Sequence, residues 1–475
     1  MMSRIRHRLK CLTCPAYFYS EQEDMEMREG NFTEGNIFLP LLKFTLPAAA
    51  ALLLQSLYGA ADLLVVGRYA SSADVSAVST GAQFMQTTVS LIAGLAMGTT
   101  ILLGQRIGEK RTDEAGKTVG TAIVFFALSA VILSVLMVCS TSFLAGLMNA
   151  PAEAYDMTCR YIRICSAGLL FITAYNLLGS LFRGIGNSTL PLLSVAVAAV
   201  MNVGLDLLLV RSMGMGAAGA AYATVASQFA SVLISLFFIR RMDLPFSVKK
   251  DDLRIDRPIL KRILGFGIPI AFMDLLVGIS FLVILAIVNS LGLLASAGVG
   301  VAEKVCAFIM LVPSAFGQSM ASFTSQNYGA GKMDRAYRGL FCGIATSLFF
   351  GVITAYLSFF HGDLLCGIFS RDAAVTAMGW EYMKAYAIDC LLVSVFFCMT
   401  GFFNGCGYTR FVMLQGIAGA FLIRIPVSWM MSRRVPVSLF HVGLATPASS
   451  FVQCVLCVLY YLMTKNRLNR HGTGQ

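Results

Sequence analysis

The sequence predicts an all-α polytopic membrane protein, with twelve transmembrane helices in two pseudo-symmetric six-helix lobes. Three observations carry this. Of 475 residues, 57% are hydrophobic and 13% charged, about half the charge of a soluble domain. Twelve apolar runs have spanning length. Short motifs recur in the two halves at a constant shift of 221–222 residues.

In chain order the runs cover 40–67, 75–104, 118–144, 158–182, 188–210, 216–239, 263–289, 296–327, 339–360, 382–404, 411–431 and 440–464. Each is read as a helix, because hydrocarbon offers no partner to an unpaired backbone group. Several exceed the usual ~20 residues, so tilt or kinking is expected. The first contains Pro47, read as a backbone device that frees a carbonyl and bends the helix. "GIGNS" and "NGCGYT" read as tight turns ending the fourth and tenth helices, where glycine supplies backbone freedom. No Lys-Ser/Thr follows either, so their likeness to a phosphate loop is superficial.

Residues 1–36 are expected to form a cytoplasmic tail without structure. The basic "MMSRIRHRLK" precedes the acidic "YSEQEDMEMREGNFTEG", with no apolar core of a signal peptide between them. Met25 and Met27 are alternative starts. Cys11 and Cys14 lack the second pair that a zinc site needs. Cys454 and Cys457 fall in an apolar run, where thiols pack as small hydrophobes. Residues 465–475 form the second tail.

Basic residues set the orientation. With the amino terminus inside, 25 of the 36 Lys and Arg fall on the cytoplasmic side and eight outside. Lys43, Lys304 and Arg424 lie within spans. The +11 net charge is therefore a topology signal, and a nucleic-acid role, which needs a soluble basic face, is set aside. The domains follow as an N-lobe over 37–240, a cytoplasmic loop over 241–262 and a C-lobe over 263–464.

"LKFTLP" at 42–47 matches "LGFGIP" at 264–269. Gln105-x-x-Gly108 matches Gln326-x-x-Gly329. "LFRGIGNST" at 181–189 matches "FFNGCGYTR" at 402–410. Six helices per half make the lobes parallel, related by an axis along the membrane normal, with a cleft between them; that is a transporter plan. No HExxH, GxSxG or Walker A sequence is present, so nothing points to an enzyme or an ATPase.

A few polar residues interrupt the apolar runs. "VMNVGLDLLLV" carries Asn202 and Asp206, four apart and so on one helix face. Tyr58 and Asp62 share a face of the first helix in the same way. Counted from the outer helix ends, Asp62, Asp206 and Thr224 lie at heights agreeing within about one turn. A mid-bilayer carboxylate costs about 2.5–3.5 kcal/mol on insertion scales, which marks it for function. Carboxylate, amide oxygen and hydroxyl are hard ligands suited to sodium. Two adjacent carboxylates in low dielectric suit a proton equally.

The stretches "FTLPAAAALLLQSLYGAADLLVVGRY", "GQRIGE", "LFRGIGNSTLP", "MNVGLDLLLV", "GAAGAAYATVASQ" and "GIPIAF" resemble the multidrug and toxic compound extrusion (MATE) family. The resemblance runs from residue 37 to about 464. It implies two six-helix bundles forming a V, and antiport of organic cations or other amphipathic compounds against Na+ or H+. It places the family's N-lobe cation site on Asp62, Asn202, Asp206 and Thr224, with Pro47, Tyr58, Tyr161 and Asn176 lining that lobe or bending its first helix. The C-lobe departs from some relatives. Their helix 7 and helix 10 acids would fall near Val277 and Val393, whereas the nearest acids here are Asp274 and Asp389. Ile284 and Val427 stand where the repeat would place partners of Asp62 and Asp206. Glu303 and Lys304 are candidates for an ion pair or a cleft contact, and Arg424 for snorkelling outward.

The expected function is secondary active efflux from a bacterial plasma membrane by alternating access, with both termini cytoplasmic. Its partners are small amphipathic or cationic substrates and the bilayer, with no obligate protein partner and no cofactor beyond the coupling ion. A lipid-linked saccharide flippase of the same superfamily would need a cation-rich cleft. A non-transporting receptor or assembly factor would need a docking domain, and no loop is long enough.

Overall fold

A computed structural model describes residues 32–472, with side chains through Lys465. Cys11, Cys14, Met25 and Met27 lie outside the described residues. Eleven helices are long and apolar enough to cross a membrane, and a bent pair makes a twelfth span. They are α1 Phe38–Tyr69, α2 Ser72–Gly108, α3 Thr112–Cys139, the bent α4 Ala152–Ala167 with Leu169–Ile185, α5 Thr189–Ser212 and α6 Gly216–Ile239. The second lobe holds α7 Arg257–Asn289, α8 Leu293–Gly329, α9 Met333–Phe360, α10 Ala373–Gly405, α11 Thr409–Ser432 and α12 Leu439–Lys465. No strand occurs among the described residues.

The fourth span is not the single run its hydropathy suggests. It bends by 53° at Gly168, where Val225 of α6 packs into the space a Cβ would fill. α5 and α11, matching helices of the two lobes, both carry a π-helical stretch, Leu207–Ser212 and Ala418–Arg424. In α5 it begins directly after Asp206. Such bulges widen a helix locally and cluster at functional positions.

Each lobe has its own apolar core. One cluster joins Val66, Met85, Leu103, Phe126 and Ile172 in the first lobe, and two others fill the second lobe around Phe323 and Phe402 and around Ile284 and Tyr382. Cys457 is fully buried within the Phe402 cluster, as a small hydrophobe. At the opposite ends of the spans, Ser71 and Asp74 form a capping box that starts α2. Asp74 also accepts from the Ala217 amide (2.9 Å), tying the start of α6 to α2.

The lobes meet through small residues, as membrane helices do when backbones must approach closely. Gly94 faces Ala271, Gly98 faces the Ile263 carbonyl and Gly267, and Gly104 faces Ser325. Gly108 sits on the Gln326 carbonyl and, in return, Gly329 sits on the Gln105 carbonyl. Gln105 Nε2 donates to Gly405 O (3.0 Å), and Gln326 Nε2 donates to Gly184 O (3.0 Å). The motifs that repeat in the sequence are thus the motifs that clasp one another in space.

These bonds lie at the face that carries the link between the lobes, called here the connector face. The link packs on α3, where Gly116 and Gly120 admit the carbonyls of Ser247 and Asp252. On the same face Arg106 joins Glu109 (2.5 Å) and Glu114 (3.0 Å), and Arg111 pairs with Glu114. Residues 32–36 do not behave as a structureless tail. Phe32 is buried against Phe44 and Phe323. The Arg335 guanidinium of α9 donates to the carbonyls of Phe32, Glu34, Gly35 and Asn36 at 2.7–3.0 Å. The segment before α1 is therefore strapped to the opposite lobe.

Candidate ion-coupling site

Along α5, Ser194, Ala198, Asn202, Asp206 and Val210 are buried at four-residue spacing, one stripe of the helix. The stripe faces α6, where Ser194 and Ser235 share a hydrogen bond (2.7 Å) and Ser231 donates to Ser194 O (2.8 Å). Further along it Asn202 and Asp206 are both 0% exposed. α1 packs along α5 and brings Asp62, 7% exposed, beside both of them. Thr224 of α6 reaches Asp62 Oδ2 at 3.3 Å and its own Ala220 carbonyl at 3.0 Å. Its single hydroxyl proton serves one of the two.

Most polar atoms in this cluster have no protein partner. Asp62 Oδ1, both Asp206 oxygens, and both the oxygen and nitrogen of the Asn202 amide are buried without a hydrogen bond. Native proteins rarely leave such groups unsatisfied, and each exception calls for a cause. Two carboxylates, an amide oxygen and a hydroxyl converge here, with Asn202 and Asp206 fully buried and Thr224 half-buried. The oxygens fit a monovalent cation, and equally a proton shared between the acids. No group of three His, Cys, Asp or Glu suited to a metal ion occurs among the described residues.

Two of the remaining N-lobe candidates border the cluster. Tyr58 lies beside Asp62, with Gln55 and Gln228 against its hydroxyl. Tyr161 is 3% exposed. Its ring fills the space beside Gly81, and Cys165, Asp62 and Asp206 are its neighbours. Pro47 does not join them: it lies 15 residues before Asp62, about 22 Å along the axis. α1 continues through it as one helix. Asn176 donates to Ile172 O (2.8 Å) and lines a separate cavity nearer the connector face. Gln55 and Gln228 were missed from sequence. The spacing Gln55, Tyr58, Asp62 on one face of α1 was the available signal.

The C-lobe is built differently. Ile284, at the place matching Asp62, is 1% exposed within the apolar core. Arg424 does not snorkel outward. It is buried, reaches Ser280 Oγ (3.3 Å), and stacks 4.6 Å over Phe281. Asp389, 1% exposed, neighbours Arg424 and Ser450. Asp274 is exposed on α7 and does not join Asp389 and Arg424. Glu303 and Lys304 do not pair: Lys304 is exposed, while Glu303 Oε1 is buried without a partner.

The family model MatE matches residues 47–208 and again 269–430, once per lobe. The chain belongs to the MATE family of transporters. It is a multi-pass membrane transporter and not an enzyme. Among curated relatives, "Probable multidrug resistance protein YoeA" of Bacillus subtilis is 25% identical over 425 residues, covering 88% of this chain and 92% of the relative. "Multidrug export protein MepA" of Staphylococcus saprophyticus is 25% identical over 402 residues, covering 84% and 88%. Among solved structures, a MATE protein in complex with MaL6 superposes with a TM-score of 0.87 at 19% identity, covering 93% of this chain and 99% of that one. A structure described as the outward-facing conformation of a multidrug resistance MATE transporter of the MOP superfamily gives 0.86 at 19% identity, covering 93% and 98%. At these identities the superpositions speak for the fold of this MATE transporter. Family membership rules out the non-transporting receptor.

Proposed function

We propose that this MATE transporter exports small amphipathic or cationic compounds across a bacterial plasma membrane in exchange for Na+ or H+, which loads at Asp62, Asn202, Asp206 and Thr224. The observation that carries this is the set of buried, partnerless oxygens on Asp62, Asn202 and Asp206. A buried charge without a partner is costly unless something neutralises it. A coupling ion does so, and its departure changes how α1 packs on α5 and α6. One charge moving down 100 mV yields ~2.3 kcal/mol to drive the exchange. The names of the bacterial relatives, a multidrug resistance protein and a multidrug export protein, support the substrate class.

The connector face is the cytoplasmic face in this reading, with both termini on it, because it holds the basic link and most of the Lys and Arg. Among the described residues every inter-lobe hydrogen bond lies in that half, from Thr45 Oγ1 to Ser319 Oγ (2.9 Å) down to the Arg335 strap. The lobes are thus closed toward the cytoplasm, the outward-facing half of an alternating-access cycle. A saccharide flippase, which needs a cation-rich cleft, is disfavoured, since Arg424 turns into the C-lobe core and Arg183 is a single cation in the N-lobe cavity.

Purified protein in liposomes, loaded with ethidium and given an inward Na+ gradient and then an inward proton gradient, tests the reading. At least one gradient should drive dye export beyond the level in empty liposomes. Export indifferent to both gradients would contradict it.

A further inference from the structure

A polar cavity lies in the connector half of the N-lobe, with Gln55 between it and the acid cluster. Its volume is about 70 Å³, room for a carboxylate-sized group of a ligand whose remainder lies in the cleft, and well short of a whole small-molecule site. Gln55 of α1, Asn176 and Arg183 of α4, Ser188 and Ser194 at the start of α5, and Gln318 of the opposite lobe line it. Gln318 places its mouth at the cleft between the lobes. No Asp or Glu lines it.

Arg183 sits here without a counter-charge. Its Nη2 donates to Ser180 Oγ (2.8 Å), its Nε is buried without a partner, and no carboxylate lies within 4.0 Å of it among the described residues. Asn176 and Ser194 already hold partners, so Arg183 is the free charged donor. We infer that this cavity takes the anionic group of an amphipathic small molecule, a carboxylate or a similar oxyanion, on Arg183.

The inference rests on the export reading above and adds the charge of one part of the substrate. Guanidinium is suited to such recognition, since its planar donors match a carboxylate two at a time. Gln55 and Asp62 are seven residues apart on α1, about 10 Å along the axis. A carboxylate in the upper cluster would meet Asp62 and Asp206, whereas in the lower cavity it meets only a cation. The lobe thus sorts charge by height, and a zwitterion binds with its anionic end toward the connector face.

Rhodamine 110 and its methyl ester, rhodamine 123, differ in having a free or a blocked carboxylate. Their binding to the purified full-length transporter in phosphatidylcholine nanodiscs, read by fluorescence anisotropy, tests the assignment. R183Q should weaken rhodamine 110 by about tenfold, the value of a charge-assisted contact, and change rhodamine 123 by less than about twofold. R183K, which keeps the charge and loses the paired donors, should fall between the unmutated protein and R183Q for rhodamine 110. On the unmutated protein, 1-naphthoate should displace rhodamine 110 at lower concentration than rhodamine 123. Equal losses for both dyes in R183Q, or none, would overturn the inference while leaving the export reading intact. Competition of rhodamine 110 by added phosphatidylglycerol down to the R183Q level would give the cavity to a lipid phosphate and overturn the small-molecule assignment. Failure of the unmutated protein to bind either dye would remove both readings together.

Discussion

Gln105 and Gln326 occupy matching places in the two lobes and make matching bonds, each to a glycine carbonyl of the other lobe. Asp62 and Ile284 also occupy matching places, but one is a buried acid without enough partners and the other is core hydrocarbon. Arg424 deepens the contrast. With the repeat shift of 221–222 residues it falls at 202–203 of the first lobe, so the C-lobe carries a tethered cation where the N-lobe carries Asn202. In the proposed reading, the cation that the C-lobe holds covalently is one the N-lobe takes from solution. Closure is shared by the two lobes, and in this account coupling belongs to one.

The largest effect should come from the acids. Asp206→Asn and Asp62→Asn should each cut gradient-driven export on the order of 100-fold, the upper range for groups around a bound ion. Asp206→Asn should keep its thermal midpoint in detergent, because removing a partnerless buried carboxylate relieves desolvation. Next is Arg424→Met, which removes the cation neighbouring buried Asp389 and the contacts to Ser280 and Phe281, and should lower the thermal midpoint in detergent. Export per folded molecule should persist. Coupling lost there with stability kept would place the ion site in the C-lobe.

A smaller effect tests the symmetric half of the comparison. Gln105→Ala and Gln326→Ala each leave a carbonyl of the facing lobe unpaired, at about 1–3 kcal/mol. Spin labels at positions 110 and 332 should report more separation at the connector face, by equal amounts for the two variants. Clearly unequal separations would break the symmetry. The smallest effect is expected of Asn202→Ala, which removes one ligand and leaves both acids. It should raise the half-saturating ion concentration by about fivefold, near 1 kcal/mol.

Hydropathy sufficed for the twelve spans, because membrane helices declare themselves by length. It could not show the break in α4, since no proline marks residues 158–182 and the bend lies where Val225 of another helix meets Gly168. The positions of Asp62, Asn202, Asp206 and Thr224 were legible from four-residue spacing and similar height. Asn176 lines an N-lobe cavity as the resemblance implied, though one set apart from the two acids. Arg424 lies close enough to its helix end to snorkel; Phe281 and Ser280 of α7 decide otherwise. The strap at residues 32–36 is held by backbone carbonyls, which leave no mark in a side-chain pattern. Arg183 counted only toward topology, and nothing in its sequence neighbourhood separates a cavity-lining arginine from a solvated one.

The claim that coupling is confined to the N-lobe is tested most directly by Asp206→Asn and Asp389→Asn side by side. Both are reconstituted in liposomes at equal folded protein, and dye export is followed under the same imposed ion gradient. Asp206→Asn should be at the level of empty liposomes, and Asp389→Asn should retain most of the unmutated rate and its ion dependence. Wild-type export by Asp206→Asn, or its loss in Asp389→Asn with the fold intact, would contradict the account.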